Sequence, residues 1–435
     1  MHHSYEGLDR AGGIARRGLL APLRHRDFRL LWTGMSISLL GDGAFLVALA
    51  WQVYQLSDAP TAMGVVGMAM TIPTIAFLLV GGALSDRLNR RHLMLAADVA
   101  RMLAAATLAV LSLTGALEIW HVAALVAVYG TGQAFFAPAF DAIVPDLVPA
   151  HLLAQANALD QLVRPIALRM AGPAIGGVLV GAMGAGAAFA LDAASFAASA
   201  LALLVMRPPA PRRTAARAGS VIGDLRDGWH FVRTRRWLWV TFASAAVAYL
   251  LFMGPVEVLV PYVVKHDLGA AASDLGLVFG AGGLASILTA IALGQLGLPR
   301  RTMTFMYLAW TVATIAVAGY GIGTAVWHLM LASAVFNALE TAGTIIWVTA
   351  KQHNVPAGML GRVSSLDWLI SIGLLPLSFA LTGPVSALIG AQMTLVVAGI
   401  AGAAVTLAGL AVPGVRAVER PRRREAVRPA DAYAA

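Results

Sequence analysis

The stretch "GGALSDRLNRRHLMLAADVARM", residues 81–102, places two acids and four arginines in one short turn and the segment behind it. The six charged side chains are Asp86, Arg87, Arg90, Arg91, Asp98 and Arg101. Residues 64–80 before them and 103–117 after them carry no charge. Since about 20 apolar residues cross the hydrocarbon core of a membrane, this pattern is typical of a polar loop between two membrane spans.

The composition of the whole chain supports a membrane protein. Of its 435 residues, 59% are hydrophobic and 12% are charged, whereas soluble domains carry roughly 25% charged residues. The mean hydropathy is +0.76. Because open strands cannot satisfy their backbone hydrogen bonds in lipid, the spans must be helical. We therefore predict an all-α polytopic membrane protein with about twelve transmembrane helices.

Twelve apolar stretches define the predicted spans, which are numbered in chain order. Spans 1 to 6 cover residues 30–56, 61–84, 92–115, 120–144, 157–181 and 185–206. Spans 7 to 12 cover residues 237–263, 273–297, 302–322, 325–350, 363–388 and 391–413. No cleavable signal peptide is expected, because residues 1–29 are polar and arginine-rich and lack an apolar core. The chain has no cysteine, which excludes disulfides and thiolate metal sites.

The arginines are concentrated on one side of the predicted membrane. Six precede span 1, eight lie within residues 207–236, and six follow residue 414. The positive-inside rule therefore predicts that both termini and the 207–236 connection are cytoplasmic, in a multi-pass protein of the inner or plasma membrane. The net charge of +9 is then a topology signal with weak attraction for membrane lipids. No nucleic-acid partner is expected.

Two related halves can be recognised in the sequence. "VPAHLLAQANALD" (148–160) aligns with "VPAGMLGRVSSLD" (355–367). Upstream, Gly64, Gly82 and Leu84 match Gly276, Gly294 and Leu296 in the same order. Duplicated six-span halves are typical of transporters whose substrate site lies near the membrane midplane, between the repeats.

The predicted organisation follows from this duplication. It comprises an N-terminal cytoplasmic segment (1–29), a six-helix bundle (30–206), a cytoplasmic linker (207–236), a second six-helix bundle (237–413) and a basic cytoplasmic tail (414–435). In the linker, Leu225, Trp229 and Val232 recur at helical spacing. That spacing predicts an amphipathic helix on the membrane surface.

The charged loop resembles the signature between spans 2 and 3 of the major facilitator superfamily, Gly-x-Leu-Ala-Asp-Arg-x-Gly-Arg-Arg. The matching residues are Gly82, Leu84, Asp86, Arg87, Arg90 and Arg91. Asn89 stands where glycine is usual. After glycine, asparagine is among the residues that best tolerate a left-handed backbone conformation, so we expect the same turn geometry. The resemblance implies two pseudo-symmetric six-helix bundles that work by alternating access.

Further stretches resemble the exporters of this superfamily. "GPAIGG" (172–177) is similar to the antiporter motif of span 5, in which Gly172, Pro173, Gly176 and Gly177 would allow a kink and close helix packing. "APAFDAIVPDLVP" (137–149) and "LAQANAL" (153–159) resemble the drug:proton antiporter branch that holds macrolide, tetracycline and siderophore exporters. The resemblance covers most of the chain.

Two departures from the family pattern bear on energy coupling. The span 4 arginine of many drug:proton antiporters is absent. Gln133 lies in its neighbourhood and is a further candidate for proton coupling or substrate binding. The second copy of the loop signature, "GQLGLPRR" (294–301), has lost its aspartate. Proton coupling therefore cannot be transferred residue by residue from the better-known branches.

The loop residues are predicted to form a conformational lock. We expect Asp86 to lie near Asp367, at the start of the repeat-related helix, because free N–H groups and the helix dipole favour an acid there. Arg90 or Arg91 is expected to pair with Asp367, and with Arg87 these contacts would hold the halves together on the cytoplasmic side. The alternative is that these residues only enforce topology. Asp98 and Arg101, three residues apart, are expected to form an intrahelical pair.

Acids within the spans are the candidate transport residues. Spans 1, 4, 7 and 10 line the central cavity in the superfamily, and they carry Asp42, Asp141, Glu257 and Glu340 respectively. Burial disfavours the charged form of a carboxylate, so each acid is a candidate for proton coupling or for binding a cationic substrate. The alternative for Asp42 is a structural hydrogen-bonding acid, and for Asp141 it is an acid that only contacts interfacial water. Asp192, in span 6, is expected to be a structural helix partner.

The predicted function is secondary active export of drugs or other small molecules, driven by proton antiport. The expected substrate is small and amphipathic, with cations among the candidates. A dedicated siderophore or metabolite exporter, a lysolipid flippase and a receptor that binds ligand without flux are the alternatives. The sequence has no Walker motif, no H-E-x-x-H spacing and no catalytic triad pattern. Neither enzymatic activity nor a cofactor is expected, and we expect a monomer.

Overall fold

The structure is a computed structural model that describes residues 20–207, 221–296 and 298–419. In these ranges all regular secondary structure is helical. Twelve helical segments are long and apolar enough to cross a membrane. The prediction of an all-α protein with about twelve spans is confirmed.

The first six spans follow the predicted order closely. Spans 1 to 4 are the helices Arg26–Leu56, Pro60–Arg87, Arg90–Leu113 and Ile119–Leu147, and span 6 is Ala185–Val205. Span 5 consists of the α-helix Leu153–Pro165, a π-helical turn Ile166–Ala171 and the α-helix Gly172–Met183. We call the end at which span 1 begins the inner end of the bundle and the opposite end the outer end.

The second six spans repeat this arrangement. Spans 7 to 10 are Arg236–Tyr262, Ala272–Leu296, Thr302–Ile322 and Val326–Asn354, and a π-helical turn Val263–Asp267 extends span 7. Span 11 consists of Ala357–Gly373 and Leu375–Ile389, and span 12 is Ala391–Ala411. Before span 7 lies the helix Val221–Arg233, whose Asp227 pairs with Arg362 of span 11 at 2.9 Å. The location of this helix on the membrane surface stays a prediction.

Asn89 terminates the charged loop in a different way from the one predicted. Its φ is −65°, so the residue is not left-handed. Instead its side-chain oxygen accepts hydrogen bonds from the backbone N–H groups of Arg91, at 3.1 Å, and His92, at 3.4 Å. The first turn of a helix leaves such groups without an intrahelical acceptor, and asparagine is a favoured residue at this capping position. Asn89 therefore acts as the N-cap of span 3.

The two halves meet along two related seams, span 2 against span 11 and span 5 against span 8. Glycines of the sequence repeat lie in both. A Cβ atom on Gly64 would lie 2.7 Å from the carbonyl oxygen of Phe379, and one on Gly276 would lie 2.8 Å from that of Pro173. Small residues let helix backbones approach closely. The matched glycines thus serve equivalent contacts in the two halves.

The "GPAIGG" motif packs span 5 against two other helices. A Cβ on Gly172 would lie 2.7 Å from the Cα of Gly43, and one on Gly176 would lie 2.7 Å from the Cα of Ala44, both in span 1. Gly177 instead faces span 8, where a Cβ would lie 3.1 Å from the Cα of Gly276. These glycines bring spans 1, 5 and 8 into backbone contact near the centre of the molecule.

We expect Gly176→Ala to destabilise the protein, because its new methyl group must displace the backbone of span 1. Overpacking of a tight contact costs roughly 1–3 kcal/mol. The matched control is Gly181→Ala in the same helix, where a Cβ meets no atom within 4 Å. Thermal unfolding of the purified proteins in detergent measures the difference. Equal melting temperatures for the two variants would contradict the role given to this contact.

Candidate functional site

Asp42 belongs to a polar cluster buried inside the first half. It lies near the middle of span 1 and accepts a hydrogen bond from the hydroxyl of Tyr129 in span 4. The same hydroxyl lies 3.3 Å from a carboxyl oxygen of Asp192 in span 6. Asp192 is fully buried, whereas Asp42 is half-buried. Tyr129 is held by stacking on Phe45, with ring centroids 4.4 Å apart.

A buried ion pair adjoins this cluster. Arg101 pairs with Asp98 at 2.6 Å, which confirms the predicted intrahelical contact. Ser199 of span 6 donates a hydrogen bond to the second carboxyl oxygen of Asp98, at 2.7 Å. The guanidinium of Arg101 lies between the rings of Phe136 and Phe196, 4.7 and 4.4 Å from their centroids. The pair therefore joins spans 3, 4 and 6 and neutralises its own charges.

Another ion pair, unlike the first, joins the two halves of the protein, and it lies at mid-depth. Arg169, on the π-helical turn of span 5, pairs with Glu340 of span 10 at 3.5 Å. Thr344 donates a hydrogen bond to the other carboxyl oxygen of Glu340, at 3.0 Å. Glu257 of span 7 is exposed and lies within electrostatic range of Arg169. Glu340 thus has a counterion, Arg169, that was not among the predicted site residues, and the same guanidinium acts at longer range on Glu257.

Arg169 had a signal in the sequence. It is the one charged residue between Arg164 and Asp192, in an otherwise apolar and glycine-rich span. An ionisable side chain within a span marks a functional site by default. Of the charged residues within the spans, only the acids were predicted to be transport residues. The partner of Arg169 lies on a helix of the other half, so their pairing is not visible in the sequence.

Gln133 and Asp141 of span 4 are not in contact with either of these groups. Gln133 is exposed. When the sequence repeat that aligns residue 148 with residue 355 is extended, Gln133 aligns with Glu340. Asp141 is exposed near the inner end of span 4, where Arg164 and Asp160 lie within electrostatic range. Arg164 itself pairs with Asp160 at 2.9 Å. The structure therefore associates Asp141 with the inner part of span 5 and with its ion pair.

Three of the predicted lock residues, Arg90, Arg91 and Asp367, have partners within their own halves. Arg90 pairs with Asp146 at 2.7 Å, and Arg91 donates to the carbonyl oxygens of Leu203, at 2.5 Å, and Leu204, at 2.8 Å. The carboxylate of Asp367 accepts from Lys351 and from the indole N–H of Trp347.

The expected pairing of Arg90 or Arg91 with Asp367 is therefore not made in this structure. The reason is local neutralisation, since Lys351 already compensates the charge of Asp367 and Asp146 compensates Arg90. The side chains of Asp86 and Arg87 lie outside the described residues. Their part in a conformational lock stays a prediction.

Polar contacts join the two halves at the outer end. The hydroxyl of Tyr54 donates to the carbonyl oxygen of Val258 at 2.5 Å, and Lys265 donates to the carbonyl oxygen of Tyr54. His266 lies 3.6 Å from the carboxylate of Asp58. At mid-depth, the ion pair of Arg169 and Glu340 also joins the halves. The outer-end contacts thus connect span 1 and the residues after it with span 7 and its π-helical turn.

Comparisons with known proteins agree with this architecture. The family described as "Transmembrane secretion effector" matches residues 17–428. The multidrug efflux pump Tap of Mycolicibacterium fortuitum is 26% identical over 403 residues, 88% of this chain and 93% of Tap. The enterobactin exporter EntS of Shigella boydii serotype 18 is 27% identical over 363 residues, 79% of this chain and 81% of EntS.

A solved structure shows the same fold. A bacterial homologue of the human lysosomal transporter Spinster, in an inward-facing and unoccupied conformation, superposes with a TM-score of 0.66. The match covers 91% of this chain and 97% of that one at 13% sequence identity. At this identity the likeness concerns the fold alone.

Proposed function

We propose, since the chain belongs to the transmembrane secretion effector family of the major facilitator superfamily, that it exports small amphipathic molecules by proton antiport. The observation that carries this proposal is the Arg169–Glu340 pair, which joins the halves at mid-depth with Glu257 nearby. Alternating access requires the halves to separate around a midplane site. In this proposal the inner end faces the cytoplasm, with both termini on that side.

The proton-coupling group in this mechanism is Asp42. Its direct partner is the neutral hydroxyl of Tyr129, and none of the described cationic side chains is in contact with it to balance its charge. A carboxylate at this depth pays a large penalty when ionised and is favoured by a proton. It is also half-buried, which gives water a route to it when the cavity opens.

The substrate-binding groups are Glu340, Glu257 and Arg169. Two carboxylates and one guanidinium leave a net negative charge, which a monovalent cation would balance. Tyr249 of span 7 lies within electrostatic range of Glu340 and makes an edge contact with Phe252, their centroids 5.5 Å apart. Aromatic faces attract desolvated cations. The site therefore suits a cation with an apolar body.

An anionic metabolite such as a siderophore is the second candidate substrate. The observation that favours it is the exposure of Arg169, whose side chain is 49% accessible although it pairs with Glu340. A guanidinium is the preferred protein group for planar anions. EntS, one of the relatives, is named for the export of enterobactin.

The experiment is transport by the purified protein in liposomes with an imposed proton gradient. We expect a fluorescent amphipathic cation to accumulate in acid-loaded liposomes and a protonophore to abolish the accumulation. Undiminished flux with the gradient collapsed would refute proton antiport. Accumulation of a catecholate anion instead of the cation would support export of a siderophore. Movement of a fluorescent lysolipid alone would support a lysolipid flippase.

A further inference from the structure

Tyr129 has fewer hydrogens than its contacts require if both neighbouring acids are ionised. Its hydroxyl lies within hydrogen-bond distance of Asp42 and of Asp192, at 3.3 Å from the latter. A phenol has one hydrogen to donate, and an ionised carboxylate only accepts. One of the two contacts can therefore be a hydrogen bond only if that carboxyl carries a proton and donates it to the phenol oxygen.

The surrounding charges also require an additional proton. The charged groups that act on these two acids are Asp98 and Arg101 of span 3 and Arg164 of span 5. Arg101 is in contact with Asp98, and Arg164 is in contact with Asp160. Neither guanidinium is a contact partner of Asp42 or Asp192. Burial of two further unpaired negative charges would be very costly.

We infer that Asp42, Tyr129 and Asp192 form one proton-holding unit, in which a single proton is shared by two carboxyl groups through the phenol. Asp192 is then a proton site rather than only a structural partner. Because Asp192 is fully buried and Asp42 is half-buried, the proton exchanges with water through Asp42. This inference rests on the proposed function only for the use of that proton in transport.

The transfer within the unit conserves atoms and charge. Asp192 gives its proton to the oxygen of Tyr129 while Tyr129 gives its own proton to Asp42. One O–H bond breaks on Asp192 and one on Tyr129, and one forms on Tyr129 and one on Asp42. The phenol is neutral before and after, so the negative charge moves from Asp42 to Asp192.

The test is infrared spectroscopy of the full chain in nanodiscs, with aspartate labelled with ¹³C at the side-chain carboxyl. We expect the wild type at neutral pH to show the carbonyl band of a protonated aspartic acid. Asp192→Asn should remove the contribution of one protonated carboxyl group from this band. The side-chain amide N–H of the asparagine can then donate to the phenol oxygen, so that no carboxyl proton is needed for this contact. Tyr129→Phe should change its frequency, because the acid loses the phenol oxygen that accepts its hydrogen bond.

The control is Tyr54→Phe, which removes a buried hydroxyl bonded to a backbone carbonyl at 2.5 Å and should leave the band unchanged. An identical band in the wild type, Asp192→Asn and Tyr129→Phe would overturn the inference. If Asp192→Asn does not fold, the Tyr129→Phe comparison decides it alone. The measurement needs neither substrate nor gradient, so a failure of proton antiport and a failure of this inference are distinguishable.

Discussion

Asp42→Asn is expected to abolish gradient-driven accumulation of substrate while leaving exchange of substrate down its own gradient intact. Asparagine keeps the shape of the side chain and its hydrogen bond with Tyr129, but it cannot ionise. A transporter without its proton carrier still rocks between its two states and still binds substrate. The measurement compares accumulation driven by a proton gradient with counterflow exchange in the same liposomes.

The matched control for Asp42→Asn is Asp160→Asn. Asp160 is also a carboxylate within a span, but it pairs with Arg164 at 2.9 Å at the inner part of span 5. Loss of accumulation for cations only, with neutral substrates still pumped, would make Asp42 a cation partner rather than the proton carrier. An Asp42→Asn protein that pumps every substrate at the wild-type rate would transfer the coupling role to Glu340.

Asp98→Asn is expected to have the largest effect on stability. It removes the counterion of Arg101, which would remain buried between Phe136 and Phe196 with an uncompensated charge. Breaking a buried pair in this way costs roughly 3–5 kcal/mol. Equilibrium unfolding of the purified protein, or its thermal midpoint in detergent, measures the loss.

Two variants make the result specific to the buried charge. Asp160→Asn breaks a more accessible ion pair, in which the side chain of Arg164 is 35% exposed, and should cost about 1 kcal/mol or less. Asp98→Asn combined with Arg101→Met should recover much of the loss, because replacing both charges by uncharged groups removes the unpaired one. Equal stability of Asp98→Asn and the wild type would show that Arg101 gains another partner.

The spans and the duplication were predictable because they depend on properties that are local in the sequence. A long apolar stretch has one stable conformation in lipid, and repeated residues such as Gly64 and Gly276 signal repeated structure. The intrahelical pair of Asp98 and Arg101 was predictable for the same reason, since residues three apart are neighbours on a helix.

The partners of charged residues on different helices were not predictable in this way. Arg90, Arg91 and Asp367 were expected to meet, and each instead binds a group in its own half. Electrostatics allows many pairings of opposite charges, and the choice depends on which helices face each other. The prediction for Asn89 considered its backbone conformation and not its side chain. An asparagine side chain can instead bind backbone N–H groups a few residues ahead, and this is the N-cap that forms here.

By itself, the sequence determined that this protein is a bundle of twelve membrane helices in two related halves, because hydrophobicity and length decide what can lie in lipid. It also placed Asp42 and Glu340 near the middle of their spans. The tertiary structure alone decided that Tyr129 connects Asp42 with Asp192 and that Arg169 faces Glu340. These contacts join residues far apart in the chain, and their geometry is set by the packing of glycine-lined helices rather than by any local pattern.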